Sequence, residues 1–207
     1  MDMTNEEAMN EKPVEGEQPK EKRTWQQSLV LDLKDLVYVL AVFMLIYMLF
    51  FRVVVVVGSS MYDTLHNGDR LLLISSTIYK NPKQGDIIVA SKESFAGGEC
   101  IVKRVIATEG QTVYIDFVTG EVKVDGVVLE EDYIYTKTTL FEGVKFPLTV
   151  EEGHVFVLGD NRDNSKDSRN PQIGQIDVRE ILGKAVFLIA PADDGTGNSM
   201  ERFGVIG

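Results

Sequence analysis

The stretch Leu36-Val37-Tyr38-Val39-Leu40-Ala41-Val42-Phe43-Met44-Leu45-Ile46-Tyr47-Met48-Leu49-Phe50-Phe51, followed by Arg52 and the five valines Val53 to Val57, marks where the chain changes character. Sixteen apolar residues without a charge, Gly or Pro read as a helix, whereas the valines open a β-branched, strand-like pattern. In a helix this run covers about 24 Å, short of a hydrocarbon core of roughly 30 Å, so a membrane crossing needs its flanking residues. Arg52 can snorkel to the interface. The run starts too late and is too long for a cleavable secretory signal, and no small-x-small site follows it, so an uncleaved anchor is expected. Lys20, Lys22, Arg23 and Lys34 precede it, against Arg52 alone close behind, which leaves the N-terminus cytoplasmic and the remainder outside. A buried core helix is the alternative, favoured by the short run and by Asp32 and Asp35 at its edge.

Working outward, residues 1 to 24 are rich in Glu and Lys and nearly free of aliphatic bulk, a composition that cannot bury enough surface to fold. The expected organisation is a disordered cytoplasmic tail over 1–35, a transmembrane anchor over 36–57 running into the first strand, an extracytoplasmic domain over 58–191 and a C-terminal tail over 192–207. Within that domain short β-branched segments alternate with Gly, Asn, Asp and Pro. The expected strands are Val53 to Val57, Arg70 to Ile74, Asp86 to Ser91, Ile101 to Thr108, Thr112 to Asp116, Glu121 to Val124, Val127 to Leu129, Val155 to Leu158 and Gly183 to Ile189. Asp125-Gly126 suits a type I′ hairpin turn, because it readily supplies two positive φ angles. The fold class is therefore mostly β behind one N-terminal helix.

Composition removes several functions. At 207 residues the chain supports one sizeable core plus an appendage. A formal charge of −11 repels phosphates, so no nucleic-acid partner is expected. Cys100 is the single cysteine, which excludes an intrachain disulfide, and no CxxC or Cys/His cluster suggests a metal. His66 and His154 lie far apart, and nothing local recommends either for a histidine-based triad. Neither metal nor organic cofactor is implied.

Gly159-Asp160-Asn161-Arg162-Asp163-Asn164-Ser165-Lys166-Asp167-Ser168-Arg169 packs six charges into eleven residues directly behind the apolar His154 to Leu158. It is either a solvated loop or a set of charge-assisted hydrogen bonds fixing backbone beside a site. Ser59 and Ser60 stand where the valine strand ends; a serine there is a backbone hydrogen-bonder unless a base is near. Lys103 alternates with Ile101 and Val105 on the face expected to be inward. It either snorkels or pairs with a carboxylate, or it is held neutral by burial and serves as a base.

Taken in order, Ser60-Met61-x-x-Thr64-Leu65, Lys103-Arg104-Val105-Ile106 and Gly159-Asp160-Asn161-Arg162 with Ser165, Asp167, Ser168 and Arg169 resemble the motif set of the bacterial type I signal peptidases, with a Gram-positive cast. The resemblance covers Leu36 to about Pro191. It implies an extracytoplasmic β-rich domain of antiparallel sheets, or a partial barrel, behind one transmembrane helix, and a serine endopeptidase that removes signal peptides from exported preproteins. By the same resemblance Ser60 is the nucleophile, Lys103 the general base and Ser165 the serine that orients the lysine. Asp160, Arg162, Asp167 and Arg169 are structural members near the site. Met61, Leu65, Ile101 and Val102 are the expected apolar walls for small substrate residues, unless they are plain core. The implied partners are preprotein signal peptides and membrane lipid.

Two features depart from the family pattern: Asp63 stands where the family usually has proline, and Ala107-Thr108-Glu109-Gly110-Gln111 keeps only the final Gly of the family's Gly-x-Pro-Gly-Asp. Gly58, as in many Gram-positive relatives, leaves no side-chain oxyanion donor two residues before the nucleophile. Two other readings compete. A self-cleaving repressor-type Ser/Lys protease would carry a DNA-binding helix-turn-helix in place of the apolar run. A catalytically impaired, membrane-anchored relative would serve as a binding or assembly factor.

Overall fold

The computed structural model describes residues 24–91, 99–193 and 199–206. Two units are distinguished, one ending at Phe43 and one beginning at Met44, and every strand belongs to the second. The tail expected over 1–35 is helical from Trp25 onward, and its residues 1–23 lie outside the described ones. Helix α1, Trp25–Phe50, contains no Gly or Pro. Its consecutive residues Leu36, Val37, Tyr38, Val39 and Leu40 are all exposed, so apolar surface runs around its circumference. Among the described residues no helix is long and apolar enough to cross a membrane. The charges of Asp32, Lys34 and Asp35 confine the uninterrupted apolar part of α1 to 36–50, about 22 Å at helical rise.

Strand β1, Phe51–Val55, follows α1 without a break. Phe51 and Arg52, read above as the end of the apolar run and its flanking charge, instead pair with Ile74 and Leu73 of β2, Arg70–Ser75. The remaining strands are β3, Ile87–Ser91; β4, Cys100–Thr108; β5, Thr112–Asp116; β6, Glu121–Val124; β7, Val127–Val128; β8, Leu148–Thr149; β9, His154–Leu158; β10, Ile176–Asp177; β11, Ile181–Ala190; and β12, Gly204–Val205. The larger sheet runs β1-β2-β11-β3-β4-β9-β10, with β12 also on β11, and the smaller runs β7-β6-β5-β8. All the strand pairings are antiparallel.

The nine expected strands are all present, within two residues of their expected bounds. The hairpin turn is as its chemistry dictates: Asp125 has φ 52° and Gly126 φ 82°. The expected tail after Ala192 includes β12, which pairs with Phe187 and Leu188.

Alternation decides the core. Leu71 and Leu73 of β2 join Val56, Met61, Leu65, Ile87 and Val89 in one apolar cluster. Ile88, Ile101, Val105, Val155 and Val157 build a second. Val113, Ile115, Val122 and Val124 of the small sheet pack on Ile106, Phe156 and Leu158, so β4 and β9 serve both sheets. This double duty explains why β4 is buried without interruption from Lys103 to Ala107.

β1 ends the large sheet on one side, and β9 meets β4 only from Arg104 onward, so that among the described residues Cys100 to Lys103 have no strand partner on that side.

Candidate active site

The turn after β1 is closed at its base, where Val56 exchanges backbone hydrogen bonds of 2.8 Å with Asp69 and Gly68. Gly58 enters it at φ +93° and donates its N–H to Asn67 Oδ1 at 2.9 Å. Met61 and Leu65 are fully buried and draw the turn onto the core, leaving Ser60 half-buried at its rim. The carbonyl of Ser60 accepts the N–H of Asn161 at 3.0 Å, which ties the turn to the charged run. Asp63 follows Tyr62 through a cis peptide bond, and its carboxylate lies 3.4 Å from His66 Nε2.

Lys103 stands on β4 opposite Ile88 and is 4% exposed. Its Nζ lies 2.6 Å from Ser60 Oγ and 3.0 Å from the Val102 carbonyl. Burial lowers its pKa to about 8; the charges of Asp167, Asp160 and Glu142 oppose that shift, and Arg169 adds to it. An amine that loses its proton near neutrality, in contact with a hydroxyl, can activate that hydroxyl as a nucleophile without histidine.

Four of the six charges in the run, Asp160, Arg162, Asp167 and Arg169, are buried in hydrogen-bonded forks, while Asp163 and Lys166 are exposed. Asp160 accepts Arg104 Nε and Nη2 at 2.9 and 2.8 Å and Thr64 Oγ1 at 2.6 Å, joining β4, the serine turn and the run. Arg104 also lies 4.0 Å above the Tyr133 ring. Asp167 holds Arg169 through both oxygens at 2.8 and 2.9 Å, and one of them accepts the N–H of Gly159 at 3.1 Å. Arg162, fully buried, donates to Glu131 at 2.6 and 3.0 Å and to Thr138 Oγ1. Ser168 Oγ accepts the N–H of Val157 at 3.0 Å. The three Arg–carboxylate pairs are charge-assisted and bidentate, which fixes direction as well as distance.

Gly159 is required by close approach. A Cβ there would lie 2.2 Å from Ser165 Oγ and 2.4 Å from the Ser60 carbonyl, distances no side chain tolerates.

A cavity of about 930 Å³ opens over Ser60 and Lys103. Met61, Ile101 and Val102 line it, Met61 while also packed in the core; Leu65 does not, because the turn points its side chain into the core. Ser165 also lines it, and its Oγ is buried without a hydrogen-bond partner, whereas Lys103 Nζ bonds to Ser60 and Val102. Leu140, Glu142 and Asn170 also line it, and nothing in the sequence singled them out. Leu140 and Glu142 lie in an irregular stretch where no periodicity marks a side chain as inward. Glu131 and Thr138, which satisfy Arg162, escaped notice for the same reason. Among the described residues no group of three His, Cys, Asp or Glu side chains could hold a metal ion.

The model for the family described as signal peptidase, peptidase S26, matches residues 30–190. A probable signal peptidase I-1 from Synechocystis is 38% identical over 143 residues, covering 65% of this chain and 69% of the relative. A signal peptidase I from Bacillus amyloliquefaciens is 34% identical over 169 residues, covering 78% of this chain and 85% of that protein. The crystal structure of a signal peptidase I from Enterococcus faecalis, at 33% identity, covers 51% of this chain and 97% of that one with a TM-score of 0.42. The chain belongs to the signal peptidase family, peptidase S26, and is a serine endopeptidase of the signal peptidase I kind.

Proposed function

We propose that this endopeptidase removes signal peptides from preproteins with Ser60 as nucleophile and Lys103 as general base. The observation that carries the reading is the 2.6 Å contact between Lys103 Nζ and Ser60 Oγ under near-complete burial of the lysine. With the amine neutral, the hydroxyl donates its proton to the Nζ lone pair as Oγ attacks the scissile carbonyl. The backbone N–H of Ser60 faces the developing oxyanion. The ammonium then passes its proton to the leaving amine, and the acyl-enzyme is hydrolysed by water activated by the same lysine. Ser165 has an unsatisfied oxygen in the same cavity, which suits it to steady Lys103 during the proton transfers. Asp160, Arg162, Asp167 and Arg169 hold the strand and turn that bear the pair.

The open edges of β1 and of Cys100 to Lys103 suit an extended substrate, which would add its backbone to them and set small side chains against Met61, Ile101 and Val102. Helix α1, apolar around its circumference, would seat the protease at the membrane, with its residues before Leu36 making up the missing length because Arg52 is held in β1. The basic residues before the apolar run favour a cytoplasmic N-terminus and an extracytoplasmic domain. Anchorage raises the concentration of the pair where a membrane-inserted signal peptide is presented.

The test is cleavage of a model preprotein in detergent by the full chain and by Ser60→Ala and Lys103→Ala. Both variants should lose turnover by about three orders of magnitude or more. Wild-type turnover in Lys103→Ala would refute the assignment of the base.

A further inference from the structure

Glu142 faces the cavity of Ser60, yet nothing in the Ser60–Lys103 chemistry uses it. It sits in the irregular segment between β7 and β8, which Arg169 staples to the charged run. Arg169 Nη1 donates to the Leu140 carbonyl at 3.2 Å, and the Arg169 carbonyl accepts the N–H of Val144 at 3.0 Å. The Glu142 side chain is 10% exposed, and its Oε2 is buried with no hydrogen-bond partner. Its Oε1 lies 3.5 Å from Arg169 Nη2. That guanidinium is already engaged by both oxygens of Asp167 at 2.8 and 2.9 Å and by the Arg162 carbonyl at 2.6 Å, so it compensates Glu142 weakly. Burial, with the charge of Asp167 beside it, pushes the Glu142 carboxyl upward, while the charges of Arg169 and Lys166 and a side-chain hydrogen bond from Asn170 act in the other direction, so that one carboxylate oxygen, Oε2, is left without a donor. A buried acceptor without a donor is costly, and a ligand that brings the donor relieves that cost.

Apart from Lys103 of the catalytic pair, the other charges on the cavity wall, Glu99, Asp163 and Lys166, are exposed, where water and salt screen them. Glu142 is thus the least screened acidic group on the cavity wall. In the endopeptidase reading, on which this inference rests, the apolar strand edges receive the residues before the scissile bond. The polar wall of Glu142 and Asn170 is then left for the residue after it.

We propose that Glu142 is a specificity-determining residue that reads the side chain immediately after the scissile bond, favouring a cationic or hydrogen-bond-donating one and rejecting an acidic one. A cation or donor is attracted to the partly exposed carboxylate, whereas a second carboxylate beside it would meet like charge in a poorly screened site.

The experiment measures kcat/KM of the full chain in detergent on one model preprotein carrying Lys, Ala or Glu at that position. Wild type should prefer Lys to Glu by on the order of tenfold or more. Glu142→Gln should bring the ratio close to one, and Glu99→Gln should leave it within about twofold of wild type. The ratio is internal to each variant, so partial loss of folded protein does not obscure it. A wild-type ratio near one, a ratio unchanged in Glu142→Gln, or an equal change in Glu99→Gln would overturn the proposal while leaving the endopeptidase reading intact. Failure of wild type to cleave any of the three would remove that reading and the proposal with it.

Discussion

Lys103 meets opposing demands, because what prepares it to take a proton also costs stability. Its pKa in the fold is about 8, against about 10.5 for the free side chain. Between those two values the folded chain has released a proton that the unfolded chain still holds, so stability rises with pH across that window and is lowest below it. Removing the amine should therefore stabilise the protein at neutral pH. Lys103→Met is expected to raise the melting temperature at pH 7 while abolishing turnover, and the gain should shrink as pH is raised from 8 towards 10.5; calorimetry across that range measures it. A lysine in an apolar strand and a serine at a strand end were legible in the sequence because each breaks its local pattern. Glu142 was not, since one more carboxylate among 32 acidic residues carries no signal without its surroundings.

At the scale of elements, the site depends on how β4, β9 and the serine turn are joined. Asp167 lies where three constraints meet: the Arg169 fork, the N–H of Gly159, and through Gly159 the close packing of Ser60 and Ser165. Asp167→Asn keeps the shape but leaves Arg169 buried without its full counter-charge, which should destabilise by about 3–5 kcal/mol. Chemical denaturation should show the loss, with turnover falling further than the folded fraction because Ser60 shifts relative to Lys103. The longer strands were legible because alternation runs through them, as Arg70–Ser75 illustrates with every second residue buried. Leu148–Thr149, Ile176–Asp177 and Gly204–Val205 were not, because two residues cannot establish a period. The role of the charged run was visible only as a choice between solvated loop and bonded scaffold. Its burial decides for the scaffold, with Arg162 and Arg169 fully enclosed.

At the scale of the molecule, the end of the chain closes back on the unit that bears the site. Arg202 donates to both oxygens of Asp69 at 2.7 and 3.1 Å, and Asp69 also accepts the N–H of Ala192 at 2.7 Å and of His66 at 2.8 Å. Asp69 is fully buried at the base of the serine turn, so Arg202 steadies that turn from 133 residues away. Arg202→Ala should cost about 2–3 kcal/mol, less than the loss of a fully enclosed partner because Arg202 is itself 20% exposed. A lowered midpoint in urea with an unchanged slope would record it. Nothing local in Ser199 to Ile206 announces this closure, since it depends on a partner that only the fold brings near.

The claim on which the account turns is that Lys103, whose pKa burial lowers to about 8, activates Ser60 once it has lost its proton, and the pH dependence of kcat/KM for cleavage of a model preprotein tests it most directly. The base works only when unprotonated, so the rate should be low at pH 6, climb tenfold per pH unit and level off above an inflection near 8. A rate independent of pH between 6 and 9, or one that falls as pH rises through 8, would contradict it.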